Sequence, residues 1–373
     1  MRVRTRECIY SLTGLSPVNS VAARVRPAEM SAATLRHVWP QIGCKHRVTA
    51  ILLDLTRMNL FVQAQKVSQY LRSRVSEVHI ENALRRPIVI LSAPRSGSTL
   101  LFEYLASLVG TSWIGGESHR VFRNFPQLGV ANASFDSASL DRSHATDECK
   151  LLFRDNIAAM LRDSTAQMFV DNPERFLAGG PILIEKTPRN ALNVKFLDTI
   201  FPDAKYIFLH RSAADNIASI REAWEVGLET GRFVTFPKLP GWDRRGWCFL
   251  LPPGWRNLIG KSLTDIARFQ WQMSNLTIVK DLTELPSDRY ATVSYERLLM
   301  DPQKELSRLL QFAGIPDPNQ SHADFAKNLS STTLSRPNKD KWRRYAEEIE
   351  PMLPALGEVS DAISAFEAAT LSG

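Results

Sequence analysis

The sequence predicts an α/β protein of three layers, in which a mostly parallel central sheet is flanked by helices. Short apolar runs at 88–91, 182–184, 205–210 and 290–295 have the length and composition of buried strands. Stretches with apolar residues at helical spacing separate these runs, so strands and helices alternate along the chain. Ligands bind such sheets at the carboxyl ends of the strands, where each run here is followed by polar residues.

The predicted helices follow from apolar spacing and from the residues that end them. Arg85-Arg86-Pro87 ends the first one, because proline disfavours a helical residue before it. Residues 111–120 are predicted as a loop or short strand, and 131–147 and 317–337 as loops. The helices are predicted at 48–84 (one or two), from Leu100 onward, and at 151–169, 191–200, 213–224, 263–282, 301–313 and 340 to near the end.

Two domains are predicted from these elements. Residues 1–84 form an N-terminal tail with a helical extension, and residues 85–373 form the main domain. Within the latter, residues 225–262 carry three Trp and four Pro without a clean period, which is typical of a structured insert or lid. We expect this insert on the acceptor side of the site.

Composition limits the compartment and the kind of ligand. The net charge of +7 suits polyanionic small ligands as well as nucleic acid. No run of about 18 apolar residues occurs, so no membrane span is predicted. The four cysteines are scattered without a C-x-x-C pair, which indicates neither a metal site nor a disulfide framework and favours the cytoplasm. The Arg-rich N-terminus fits both an organelle transit peptide and a poorly ordered bacterial leader.

The stretch from Ile88 to Leu101 has the layout of a phosphate-binding loop, which makes the predicted fold P-loop-like. An apolar strand leads into a turn, and a helix follows, so backbone N–H groups converge on one anion. The lysine of a G-x-x-x-x-G-K-[ST] loop is missing, because Ser98 follows Gly97. The loop is therefore predicted to bind a phosphate group but not to carry out ordinary Mg-nucleotide hydrolysis. Its candidate ligand-binding residues are Arg95, Ser96, Gly97, Ser98, Thr99 and Leu100.

Further candidates follow the other strands. Arg211 ends the third strand and Ser219 lies about two helical turns later, so both can reach one phosphate. Lys186 follows the second strand and Tyr295 the fourth. Glu117 follows Gly115-Gly116 in the segment after the loop helix, with His119 beside it.

These motifs resemble the sulfotransferases that use 3′-phosphoadenosine 5′-phosphosulfate (PAPS), over roughly residues 86–345. The segment 94–100, PRSGSTL, resembles the 5′-phosphosulfate loop of tyrosylprotein sulfotransferases and many bacterial members. The segment 206–211 with Ser219 resembles their 3′-phosphate motif, and 185–188 resembles the segment of their catalytic lysine. Tyr295 resembles a nucleotide-contacting tyrosine, and Asn338 and Lys339 resemble a basic segment that closes over the nucleotide.

The resemblance implies roles for the remaining candidates. Many cytosolic members have a histidine base where Pro188 stands here, so the base must come from elsewhere. Glu117 is the preferred general base, because its context resembles that of the glutamate in tyrosylprotein sulfotransferases, and His119 is the fallback. Arg95 and Lys186 would neutralise the charge that develops on the leaving adenosine 3′,5′-bisphosphate. No metal is needed for this reaction.

The sequence thus predicts transfer of a sulfuryl group from PAPS to a hydroxyl acceptor, either small or carrier-bound. It does not identify the acceptor. The alternatives are a divergent P-loop nucleotide or small-molecule kinase and a non-catalytic binder of nucleic acid or another polyanion. Basic residues beyond the N-terminus are interspersed with acidic ones, which disfavours nucleic acid as a partner. An inactive sulfotransferase fold is a further alternative.

Overall fold

A six-stranded sheet runs through the part of the chain that the structure, a computed structural model, describes: residues 60–177, 179–317, 322, 325 and 341–372. The order of its strands is β3-β2-β4-β1-β5-β8. The pairs β2–β4, β4–β1, β1–β5 and β5–β8 are parallel, and the edge strand β3 is antiparallel to β2. The strands are β1 (Ile88–Leu91), β2 (Thr111–Trp113), β3 (Arg162–Asp163), β4 (Ile182–Lys186), β5 (Lys205–His210) and β8 (Tyr290–Ser294).

Helices connect and cover these strands, and a small ribbon of β6 (Val234–Phe236) and β7 (Trp247–Cys248) lies apart from the sheet. The α-helices are α1 (60–72), α2 (Glu77–Ala83), α3 (Ser98–Ser107), α4 (His119–Arg123), α5 (Asp147–Ala158), α6 (Val194–Ile200), α7 (Ala213–Thr230), α8 (Leu263–Leu282), α9 (Tyr295–Met300), α10 (Pro302–Ala313), α11 (Ala346–Ile349) and α12 (Gly357–Ser372). Turns of 3₁₀ helix include Pro126–Leu128, Arg142–His144, Phe169–Asp171, Pro173–Phe176, Pro188–Leu192, Trp255–Leu258, Ser287–Arg289, Lys341–Tyr345, Glu350–Met352 and Pro354–Leu356.

Both faces of the sheet are buried, which confirms the predicted α/β fold with helices on either side. Successive side chains of a strand point to opposite faces. In β1, Ile88 and Ile90 therefore join one apolar cluster, together with α3 and α10. Val89 and Leu91 join the other cluster, together with α6, α7 and α8. Burial on both faces explains why β1 reads as a continuous apolar run rather than an alternating one.

The strand order brings the candidate residues to one edge of the sheet. Since β1, β2, β4, β5 and β8 are parallel, their carboxyl ends lie at the same edge. The chain passes from β1 to β2 on one side and returns later to β5 on the other, so the order reverses beside β1. This reversal opens a crevice for a ligand at the point where the loop after β1 begins.

The predicted helix over 151–169 is wrong in its second half. Helix α5 ends at Ala158, and β3 follows within a few residues. The Asp163 carboxylate accepts the backbone N–H groups of Thr165 at 2.9 Å and Gln167 at 3.1 Å. A side chain that captures backbone donors in this way competes with helix formation, because those N–H groups are then lost to the helical ladder.

The Trp-rich segment 225–262 is built into the core. Helix α7 continues to Thr230 and ends at Gly231, whose φ of +80° suits glycine. Trp247 and Trp255 are fully buried, and Trp242 packs against both with ring centroids 4.8 and 5.9 Å away. The segment shows no sequence period because its large side chains converge on one cluster rather than along one helix face.

The first described helix, α1, is joined to α5 through a buried carboxylate. Asp155 is fully buried and accepts hydrogen bonds from Ser68 Oγ, at 2.5 Å, and from the Arg72 guanidinium, at 2.6 and 3.0 Å. Removal of any of these partners would destabilise the fold, because an unpaired ion in the interior is costly.

We expect Asp155→Ala to lower the free energy of unfolding by about 3 kcal/mol, because it leaves the Arg72 guanidinium and the Ser68 hydroxyl without their shared acceptor. Urea denaturation followed by circular dichroism measures this. Arg142→Ala, which breaks an exposed pair with Glu284, is the control and should change the value by less than about 1 kcal/mol. Equal effects of the two variants would contradict the assignment.

Candidate active site

A cavity of about 750 Å³ lies at the carboxyl edge of the sheet. It brings together candidates that are far apart in the sequence and that follow five different strands. Ser96 is not among its lining residues, and Asn338 and Lys339 lie outside the described residues. The lining includes Arg95, Gly97, Ser98, Thr99, Leu100, Glu117, His119, Lys186, Arg211, Ser219 and Tyr295.

The loop after β1 is shaped by two residues with positive φ. Arg95 has a φ of +64°, and Gly97, which caps the N-terminus of α3, has a φ of +98°. A Cβ at Gly97 would lie 2.4 Å from two ring carbons of Tyr295. Glycine is therefore required at this position both for its backbone conformation and for the close approach of the tyrosine ring.

The hydroxyl of Ser96 holds the loop instead of facing the cavity. Ser96 Oγ donates within a buried pair to Asn216 Oδ1 at 2.8 Å and also lies 2.9 Å from the carbonyl of Ala93. Asn216 Nδ2 in turn donates to the Pro94 carbonyl at 2.8 Å. That Ser96 binds the ligand stays a prediction, and its hydroxyl is engaged within the protein. Asn216, which the sequence analysis missed, ties the loop after β1 to the helix after β5.

Arg211 meets the same loop from the neighbouring strand. Its Nη1 donates to the carbonyl of Arg95 at 3.4 Å, and its guanidinium lies 4.8 Å from the centre of the Tyr295 ring. The buried Nε of Arg211 has no hydrogen-bond partner among the described residues. Ser219, two turns along α7, lines the same cavity. The two predicted phosphate-binding motifs thus share one cleft and one aromatic ring.

Lys186 connects the loop to the candidate base. Its side chain is only 5% exposed, and its Nζ donates to Thr99 Oγ1 at 3.2 Å and to Glu117 Oε1 at 2.5 Å. The other carboxylate oxygen of Glu117 lies 3.1 Å from His119 Nε2. The ammonium group therefore stands between the anion-binding loop and a carboxylate, and both candidates for the base contact each other.

A buried network fixes the position of Glu117. Thr187, the residue after Lys186, accepts the backbone N–H of Ser118 at 2.8 Å. Its hydroxyl donates to the Glu185 carboxylate at 2.6 Å. Because Ser118 directly follows Glu117, these bonds attach the segment after β2 to the end of β4. The glycines before Glu117 allow this segment to turn toward the neighbouring strand, since Gly115 and Gly116 have φ of +77° and +149°.

The electrostatic setting keeps Glu117 ionised and Arg95 charged. Burial raises the pKa of the Glu117 carboxyl, but the hydrogen bond from His119 and the charge of Lys186 outweigh it and bring the pKa to about 2. Burial lowers the pKa of the Arg95 guanidinium to about 10, an effect that Glu222 partly offsets. Near neutral pH the cavity therefore holds an ionised carboxylate beside several cations.

The remaining walls are largely apolar and come from two segments. Phe122, Phe125 and Leu128 follow Glu117 in the chain, and Phe233, Phe236 and Phe249 belong to the Trp-rich segment. The Arg95 guanidinium also lies over the Phe233 ring, 5.3 Å from its centre. Sequence reasoning assigned the second segment to this side but did not single out the phenylalanines, which share no spacing along the chain.

Near the C-terminus, Lys341 lines the cavity and forms an ion pair with Glu222 of α7. In the described ranges no three His, Cys, Asp or Glu side chains are grouped so as to hold a metal ion. A search of the same ranges found no helix with both the length and the hydropathy of a membrane span.

One family model matches the part of the chain that carries most of the candidate residues. Residues 87–244, which contain the loop after β1, Glu117, Lys186, Arg211 and Ser219, match the model of the sulfotransferase family. The match covers less than half of the chain, so the similarity to this family holds for these residues. An uncharacterized protein of Aquifex aeolicus (strain VF5) is 24% identical over 291 residues, which are 74% of this chain. The match covers 32% of that relative's own length, so the chain spans about a third of it.

Several solved structures of sulfotransferases are similar to this chain at low sequence identity. The sulfotransferase STF9 from Mycobacterium avium is 15% identical, with a TM-score of 0.45, over 82% of this chain and 83% of that one. The sulfotransferase domain from the curacin biosynthetic pathway is 19% identical, with a TM-score of 0.39, over 71% and 98%. Mouse sulfotransferase SULT7A1, complexed with PAP, is 12% identical, with a TM-score of 0.37, over 81% and 96%.

We expect Gly97→Ala to abolish anion binding at the loop after β1, probed with adenosine 3′,5′-bisphosphate, because the added Cβ collides with Tyr295 and distorts the loop. Isothermal titration calorimetry measures the affinity. Gly231→Ala is the matched control: its φ of +80° is similarly unfavourable for alanine, but a Cβ there meets no atom within 4 Å. Binding by Gly97→Ala as tight as that of the control would refute the role of the close approach.

We expect Lys186→Gln to raise the pKa of Glu117 from about 2 toward its ordinary value of 4.5, because the ammonium that favours the carboxylate is lost. A pH titration of ¹³C-labelled glutamate side chains measures this, with Glu117→Gln to assign the signal. Because the folded pKa is lowered, ionised Glu117 stabilises the wild type above pH 4.5, and this contribution is lost as the pH falls toward 2. Lys195→Gln is the control: it removes a lysine paired with Glu284 and should leave the titration of Glu117 unchanged.

Proposed function

We propose that the chain is a sulfotransferase that transfers a sulfuryl group from PAPS to a hydroxyl acceptor. The observation that carries the proposal is the position of Lys186 Nζ, 3.2 Å from Thr99 in the anion-binding loop and 2.5 Å from the Glu117 carboxylate. A buried cation between an anion site and a base is the arrangement that transfer of an anionic group to a hydroxyl requires. The family match of residues 87–244 supports the same reaction class.

The residues around the cavity fit PAPS. The loop after β1 and the N-terminus of α3, which no side chain caps, suit the 5′-phosphosulfate. Arg211, with its buried Nε lacking a partner in the described ranges, and Ser219 suit the 3′-phosphate. Tyr295 lies between the two groups, against Arg211 and close to Gly97. When bound, PAPS supplies an activated sulfuryl group and a leaving adenosine 3′,5′-bisphosphate.

Each side chain of the site has a separate role in the reaction. Glu117 Oε1 or Oε2 accepts the proton of the acceptor hydroxyl, a role that contributes about 10²–10⁴-fold to rates in general. His119 holds this carboxylate from the other side and is the alternative base. Lys186 and Arg95 stabilise the negative charge that develops on the leaving side. The apolar walls exclude water and hold the acceptor in line with the transferred group.

The strong pairing of Glu117 with Lys186 has a direct bearing on its function as a base. A carboxylate with a pKa near 2 is a weak proton acceptor for a hydroxyl. An anion held at the loop competes with Glu117 for the Lys186 ammonium. Weakening of the ion pair raises the pKa of Glu117, so its basicity increases when the loop is filled. This couples proton removal to donor binding and limits unproductive chemistry in the empty site.

Three finer assignments belong to the same proposal. The segment 225–262 forms the acceptor-side wall, through Phe233, Phe236 and Phe249. Asn338 and Lys339 complete the nucleotide site. The acceptor is a small or carrier-bound hydroxyl compound and not a nucleic acid, and the protein acts in the cytoplasm without a metal.

We expect Glu117→Gln to lower kcat by about 10²–10⁴-fold while the affinity for adenosine 3′,5′-bisphosphate stays within a few-fold, because the base is lost and the phosphate grips remain. Glu229→Gln, the same substitution at an exposed position on α7, should have no effect on kcat. If Glu117→Gln keeps full kcat and His119→Ala loses it, His119 and not Glu117 is the base.

The activity is measured by incubating the protein with PAPS and pooled hydroxyl compounds and recording mass spectra. The expected product is about 80 Da heavier, the mass of one SO₃ group added to the attacked oxygen. Transfer that persists in EDTA is expected for sulfuryl transfer, whereas transfer from ATP that requires Mg²⁺ would establish the kinase alternative. Binding of adenosine 3′,5′-bisphosphate without transfer to any compound would instead favour the non-catalytic alternatives.

A further inference from the structure

Arg189 lies in the cavity but has no part in the chemistry described above. It belongs to the turn Pro188–Leu192, three residues after Lys186, and its guanidinium lies 3.9 Å from the centre of the Phe122 ring. No described residue forms an ion pair or a side-chain hydrogen bond with it, and its Nε is buried without a partner. The phenylalanine covers one face of the guanidinium and leaves the donors at its edge without an acceptor.

A cation in this setting is costly unless something compensates it. Burial lowers the pKa of the Arg189 guanidinium to about 10, so the group is still charged at neutral pH. A half-buried guanidinium whose Nε is buried without a partner carries a desolvation penalty that an aromatic ring only partly offsets. A ligand in the cavity can reach the guanidinium that carries this penalty, because Arg189 lines the cavity.

The position of Arg189 assigns it to the acceptor rather than to PAPS. The residues proposed for the two phosphate groups converge on the loop after β1 and on Tyr295, where Arg211 meets Arg95. Arg189 instead packs on α4, the helix that starts at His119 two residues after the proposed base. Phe125 and Leu128 continue the same wall. A hydroxyl compound at Glu117 therefore shares the cavity with an apolar surface and with a guanidinium that no described residue pairs.

We propose that the acceptor is an apolar hydroxyl compound that also bears a carboxylate, which Arg189 binds. This inference rests on the proposed function, since it names the substrate class of the same site. A planar guanidinium stacked on a ring presents two parallel N–H groups at its edge, which match the two oxygens of a carboxylate. The carboxylate removes the penalty of the buried cation, and the phenylalanines hold the carbon skeleton between it and the attacked hydroxyl.

The test compares matched pairs of compounds for binding to the protein saturated with adenosine 3′,5′-bisphosphate. The probes are 12-hydroxydodecanoate with its methyl ester, and 3-(4-hydroxyphenyl)propionate with its amide. We expect the wild type to bind at least one acid about tenfold or more tightly than its neutral partner, as expected for a charge-assisted bidentate bond. Arg189→Gln should bind the acid and its partner equally, and Arg189→Lys should retain part of the preference.

Arg120→Gln is the control, because Arg120 lies on the same helix as Phe122 but is exposed and outside the cavity lining. It should keep the full preference for the acid. A preference that survives in Arg189→Gln, or no preference in any pair for the wild type, overturns the inference. A phosphate in place of the carboxylate is tested with 12-hydroxydodecyl phosphate, and tighter Arg189-dependent binding of that probe than of the acid overturns the choice of carboxylate.

The outcome also separates this inference from the proposed function. Failure of the proposed function appears as absence of adenosine 3′,5′-bisphosphate binding or of sulfuryl transfer from PAPS in the wild type. Failure of the inference appears as equal binding of acids and neutral partners in a protein that does bind the nucleotide. Adenosine 3′,5′-bisphosphate affinity in Arg189→Gln should match that of the wild type, since no phosphate grip is altered.

Discussion

The ion pair between Lys186 and Glu117 is the interaction on which the rest of the site depends. It joins the ends of two parallel strands, β4 directly and β2 through the segment that carries Glu117. Lys186 is almost fully buried, so its charge requires a partner, and Glu117 and Thr99 supply it. The Glu185–Thr187–Ser118 bonds behind the pair hold both residues in place. A small change in this pair would therefore alter both the contact of Lys186 with the loop after β1 and the ionisation of Glu117.

The sequence predicted the features that depend on local pattern. Parallel strands buried on both faces are continuous apolar runs, and the residues after them must lie at one edge of the sheet. This pattern predicts that Arg95, Lys186, Arg211 and Tyr295 lie together, and all four line the cavity. Glu117 is a candidate from its place after Gly115-Gly116, its role as base comes from the resemblance alone, and Glu117 does line the cavity.

Features that depend on distant partners could not be read in the same way. The Ser96 hydroxyl turns away from the cavity because Asn216, 120 positions later, accepts it. The predicted helix over 151–169 stops because Asp163 takes up backbone donors, a choice that propensity alone does not reveal. Arg189 lies three residues after Lys186 in the sequence, yet the absence of a counter-ion among the described residues is a property of the folded cavity. Composition cannot show which charges remain uncompensated.

The tryptophan cluster has a consequence for the evolution of substrate choice. Trp242, Trp247 and Trp255 anchor the same segment whose phenylalanines face the cavity. Exchange of the whole segment between relatives would remove part of the hydrophobic core along with this wall of the cavity, so inherited stability restrains wholesale replacement. On the proposed acceptor-side role of this wall, new specificities would arise mainly through single substitutions at Phe233, Phe236 and Phe249, with the backbone unchanged.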